Sequence, residues 1–127
     1  MATSTATMRR MSTLLTLASA MLFAGIAGAR AYLDRATPAA NSGVHQSPTE
    51  VKLWFTGPLD PPFSKAEAQD QSSKRVDKGE PRVDSTDRKL LRVSLPPLAP
   101  GRYRVTWRAV SVDTHASTGE FTFDIAP

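Results

Sequence analysis

From residue 50 onward the chain repeats with a period of two, and no other feature narrows its possible folds as much. "EVKLWF" at 50–55 sets Val51, Leu53 and Phe55 on one side and Lys52 and Trp54 on the other. "KLLRVSL" at 89–95 opposes Leu91, Val93 and Leu95 to Arg92 and Ser94. "GRYRVTWRAVS" at 101–111 turns Tyr103, Val105, Trp107 and Ala109 one way and Arg102, Arg104, Thr106 and Arg108 the other. "GEFTFDI" at 119–125 ends the pattern with Phe121, Phe123 and Ile125 on one face. Successive side chains of a strand point to opposite faces, so each run reads as a strand with one face buried. Weaker strand candidates are 32–37, 65–70 and a short piece at 74–76. No stretch after residue 30 holds a helical period of useful length.

Turn chemistry separates these runs: "TPAANSG", "GPLDPP", "DKGEP" and "PPLAPG". Pro58, Pro61 and Pro62 make 57–62 a rigid loop, because proline donates nothing to a strand ladder. The polar segment 71–88 reads as loops with short strands. About seven short strands in roughly 100 residues is the pattern of an immunoglobulin-like Greek-key β-sandwich, so an all-β fold is expected. Tyr103 follows a Pro-Gly turn at the start of the longest strand. That is the place of a tyrosine corner, whose hydroxyl bonds back to the preceding backbone. Trp107, Phe55, Phe121 and Phe123 are assigned to the core. Trp54 faces outward by parity, either as a contact surface or covered by other chain.

Residues 1–29 differ in kind. Arg9 and Arg10 precede an apolar run from Leu14 to Ile26, and Ala27-Gly28-Ala29 supplies small residues suited to signal peptidase. The apolar run is shorter than the ~20 residues that span a bilayer. A secretory signal peptide over 1–29 is expected, with an uncleaved anchor as the alternative. Ala29-Arg30-Ala31 also fits an A-x-A site, so cleavage after Ala29 or after Ala31 stays open. The remaining 30–127 suffice for one domain with one core. Without Arg9 and Arg10, Lys and Arg fall from 16 to 14 against 12 acids, a mature charge of +2. The basic residues form no patch interleaved with aromatics, so a nucleic-acid partner is not expected. Cysteine is absent and all four methionines precede residue 22, which removes soft sulfur ligands from the mature chain.

One stretch carries candidate chemistry. "SVDTHASTGEF" at 111–121 puts Asp113 and His115 two apart on an extended segment, which points both the same way. In a sandwich, the turn between the last two strands shares an end with the start of the first strand. His45, in the loop after the first strand, falls at the opposite end. A carboxylate, an imidazole and a free α-amine make an N/O set suited to Cu(II) or Ni(II) and, less selectively, Zn(II). The plainer reading is a polar turn, with an aspartate bonding its own backbone and a solvated histidine. Asp84 and Asp87 fall in a loop expected at the same end and are candidates for a substitute ligand. Ser111, Asp113 and His115 share a face, but adjacency on one strand does not give the relayed geometry of a triad. No oxyanion hole, phosphate loop or catalytic carboxylate pair is evident, so no enzyme is expected.

Taken together, "ATPAANSG", "VKLWFTGPLDPPFS" and "LAPGRYRVTWRAVSVDTHASTGEFTFDI" resemble the CopC family of periplasmic copper-binding proteins. The resemblance covers essentially the whole of 30–127, and 100–123 is its most specific part. It implies a Greek-key β-sandwich, a periplasmic location, a role in copper homeostasis or resistance, and a membrane partner of the CopD type. It further implies Cu(II) held by an N-terminal histidine and an Asp-x-His pair. The pair falls on Asp113 and His115. The histidine falls on Arg30, whose guanidinium stays protonated and offers no lone pair, so only its α-amine is left as a donor. The methionine-rich Cu(I) site of some members has no counterpart here. The expectation is therefore a monomeric copper protein with a weakened Cu(II) site of Asp113, His115 and the Arg30 α-amine. The alternative is a metal-independent immunoglobulin-like module that docks to a membrane or secreted partner.

Overall fold

The computed structural model describes residues 30–127; the signal peptide read over 1–29 lies outside the described residues. Eight strands form: β1 (Leu33–Thr37), β2 (Ser42–Val44), β3 (Glu50–Phe55), β4 (Lys65–Gln69), β5 (Arg82–Val83), β6 (Leu90–Ser94), β7 (Gly101–Val110) and β8 (Ala116–Ile125). One sheet runs β1-β3-β6-β5 and the other β2-β8-β7-β4. Most connections cross from one sheet to the other, which is the Greek-key habit of a β-sandwich. All pairings are antiparallel except β2 with β8.

The alternation places the core. Val51, Leu53 and Phe55, Leu91, Val93 and Leu95, Tyr103, Val105 and Ala109, and Phe121, Phe123 and Ile125 are all buried between the sheets. Each large aliphatic or aromatic side chain so buried contributes about 1.5–3 kcal/mol relative to exposure. With no disulfide present, this layer holds the sandwich together. The Tyr103 hydroxyl donates to the Ala99 carbonyl at 2.6 Å, closing the tyrosine corner.

Several expectations change in detail. The strand count rises from about seven to eight because β2 and β5 have three and two residues, too short for any alternation to register. The piece at 74–76 is a single bridge, Arg75 to Gln69. Trp107 is only partly buried; its ring meets Phe55 edge-on, with centroids 5.1 Å apart. Trp54 is covered by its cross-strand neighbour on β1, the Arg35 guanidinium standing 4.0 Å above the ring centre.

Candidate metal site

Strands β7 and β8 pair from Gly101↔Ile125 to Val110↔Ala116, leaving 111–115 as the connecting turn. Three backbone features shape it. The Ser111 amide donates to the His115 carbonyl at 3.0 Å, and the Thr114 amide to the Ser111 carbonyl at 2.9 Å. Thr114 sits at φ 73°, the left-handed conformation that reverses the chain. Leu59, fully buried, bridges Ser111, and the Asp60 amide donates to the Val110 carbonyl at 2.7 Å, so the loop after β3 props the turn from below.

On this turn Asp113 and His115 meet. Nδ1 of His115 lies 3.1 Å from Oδ2 of Asp113, and the other carboxylate oxygen accepts the Ser111 hydroxyl. Both side chains are open to solvent, so the carboxylate and the imidazole are within reach of a metal ion. The Ser111 hydroxyl, and after it His115, hold the Asp113 carboxyl below its ordinary range, so it stays anionic further into acid. Ser111 is nearly inaccessible, so the turn has a buried polar support under an exposed donor pair. The sequence put Ser111 on the same face as the pair. Its bond to Asp113 depends on the reversal at Thr114, for which no residue pattern was available.

The start of the described chain lies at this end too. The Ser117 hydroxyl donates to the Ala31 carbonyl, and Ala31 is wholly buried. Thr56, just past β3, takes the Tyr32 amide at 2.9 Å on its hydroxyl oxygen and donates to the Arg30 carbonyl at 3.3 Å. Segment 30–32 is thereby fastened to both sheets, two residues along β8 from His115. Arg30 itself is exposed. His45 follows β2, whose Val44 pairs with Ile125 at the far end of β8, so it lies away from the pair.

Asp84 and Asp87 do not join the site. The Asp84 carboxylate takes the Thr86 hydroxyl at 2.6 Å and Arg92 Nη1 at 2.9 Å, and these partners hold its carboxyl well below the ordinary range. Asp87 accepts the Lys89 amide within its own loop. Both are used by local structure. Among the described residues no group of three or more His, Cys, Asp or Glu side chains gathers to hold a metal. Asp113 and His115 thus supply two side-chain donors, half of a four-coordinate set.

The fold has known counterparts. The CopC domain family matches residues 33–126. Protein YobA of Escherichia coli K12 is 34% identical over 98 residues, covering 76% of this chain and 79% of that protein. Copper resistance protein C of Pseudomonas syringae pv. tomato is 32% identical over 114 residues, covering 85% and 90%. The crystal structure of CopC from Methylosinus trichosporium OB3b superposes with a TM-score of 0.69 at 33% identity, over 77% of this chain and 95% of that one. The match runs from β1 through the last strand and takes in the 111–115 turn, and on it the chain belongs to the CopC family.

Proposed function

We propose that this protein is an exported copper carrier of the CopC type, acting in the periplasm in copper homeostasis or resistance, with a weakened Cu(II) site. The carrying observation is the exposed Asp113–His115 pair, braced from beneath by Ser111 and set beside segment 30–32. The names of the relatives, a copper resistance protein and CopC itself, support copper as the cargo. Carboxylate and imidazole suit Cu(II), and the absence of methionine after residue 21 argues against a thioether Cu(I) site.

Cleavage after Ala29 frees the Arg30 α-amine as a third donor at the same end; cleavage after Ala31 removes it. Without the imidazole that the family resemblance places at the mature N-terminus, and without its chelate ring, Cu(II) is held less tightly than by a full site. Binding needs neutral nitrogen donors, so it weakens as pH falls. The reading is of a monomeric carrier, not a catalyst, that exchanges copper with a CopD-type membrane partner. A second reading, a docking module that has lost its metal, is favoured by the two-donor count among the described residues.

The experiment is a Cu(II) titration of secreted, processed protein against a competing chelator, with copper EPR and a His115→Ala control. One-to-one binding that disappears in the control supports the carrier. Binding no stronger than the control turns the reading to the docking module.

A further inference from the structure

Among the described residues, the large apolar side chains left exposed are Tyr32, Phe63 and Val112, and all three lie at the end where β7 turns into β8. A cleft of about 490 Å3 opens there. Pro62, Phe63 and Val110 give it apolar walls, and Lys65 and Arg108 line it beside them. These two cations stand directly opposite each other across the β4–β7 ladder. Like charges so placed repel and weaken a sheet. Neither forms an ion pair among the described residues. Asp60 is the carboxylate in the lining, and it bonds neither cation, so the cleft keeps an excess positive charge beside an exposed aromatic ring.

We propose that this cleft is a docking site for a partner protein, which inserts a segment bearing an aromatic or apolar side chain flanked by carboxylates. The apolar group meets Phe63, Pro62 and Val110, and the carboxylates answer Lys65 and Arg108. Thr114 belongs both to the cleft and to the turn between Asp113 and His115, so a docked segment touches that turn. Its volume is that of a small-ligand pocket, roughly 300–1,000 Å3, room for the side chains of a short inserted segment. The like-charge pairing has a purpose on this account: the repulsion is relieved when the partner's carboxylates arrive. The proposal goes beyond the copper reading and does not need it, and its test uses metal-free protein.

The test is an NMR titration of 15N-labelled residues 30–127 with the peptide acetyl-Asp-Glu-Phe-Glu-Asp-amide. One control peptide replaces Phe by Ala, and a second replaces the acids by Lys. Amide shifts are expected at Phe63, Lys65, Arg108 and Thr114 with the acidic aromatic peptide, at least ten-fold weaker with either control, and fading as salt rises. The Lys65→Glu variant should lose the response while its Tm holds or rises, because the substitution turns a repelling pair into an attracting one. Equal response to all three peptides, or none at these residues, overturns the proposal. So does binding of phosphatidylglycerol vesicles through these residues without peptide binding, or self-association mapped to them, which would make the occupant a membrane or a second copy.

Discussion

Replacing Ser111 by alanine separates a support for the metal pair from a support for the fold. The Ser111 hydroxyl has one hydrogen and two acceptors in reach, Oδ1 of Asp113 and the His115 carbonyl at 3.1 Å. The turn does not need the hydroxyl to close, because the Ser111 amide holds the same His115 carbonyl at 3.0 Å. Truncation removes one hydrogen bond, about 0.5–1.5 kcal/mol net. For a domain of this size that is roughly 2–12 °C in Tm, and the low end is expected since Asp113 can turn to water instead. The consequence for metal is larger. Freed of Ser111, the Asp113 carboxylate is no longer held in place as a donor, and losing such a partner behind a ligand costs about 10–100-fold in metal affinity. The assay pairs a chelator-competition titration with thermal melts of the same samples. A ten-fold or greater loss of Cu(II) affinity with a small Tm change is the predicted split, and Ser111→Thr, which keeps the hydroxyl, should restore affinity. Unchanged affinity in Ser111→Ala would refute the supporting role.

Other predictions concern the scaffold. A Cβ on Gly119 would sit 2.4 Å from Cζ2 of Trp107, its cross-strand partner, so Gly119→Ala must displace the ring from its edge contact with Phe55. A cost of about 1–3 kcal/mol is expected by chemical denaturation, and unchanged stability would contradict the packing described. Tyr103→Phe removes the bond to Ala99 and should cost about 1 kcal/mol with the native NMR spectrum retained. Arg92 bridges Glu50 and Asp84, and both carboxyls lie below their ordinary range: Glu50 chiefly through Arg92, Asp84 chiefly through Thr86 and then Arg92. Folded values below unfolded ones mean stability that is present above the ordinary carboxylate range and is lost as pH falls through the lowered values. Melts from neutral pH to below about pH 4 should therefore show wild type losing more Tm than Arg92→Met.

The strands with a buried face were legible because burial on one side imposes alternation, as in Val51–Leu53–Phe55 and Phe121–Phe123–Ile125. That Tyr103 would close a corner, and that 111–115 would share an end with the N-terminal segment, followed from turn chemistry and strand direction. Strand β2 was not legible, and β5 was foreseen only as some short strand within 71–88: Ser42–Val44 and Arg82–Val83 are positioned by the neighbours they pair with, and so few residues show no period. Register was hidden as well. It decides that Arg35 covers Trp54 and that Lys65 faces Arg108, and both follow from long-range pairing. At the site, the spacing of Asp113 and His115 was plain in the residues, and the mismatch at Arg30 is what the CopC resemblance implies. The buried support from Ser111 and the tie from Ser117 to Ala31 needed the folded chain.

The central claim, that half of a Cu(II) site remains and that Arg30 stands where its other half would be, is tested most directly by restoring the donor. Processed wild type and Arg30→His protein, each with its N-terminus established by mass spectrometry, would be titrated with Cu(II) against the same chelator. Losing a partner behind a ligand already costs about 10–100-fold, so regaining a ligand should raise affinity by more than about 100-fold. That gain should vanish when His115→Ala is added. A wild type that binds as tightly as the variant, or a variant that gains nothing, would contradict the account.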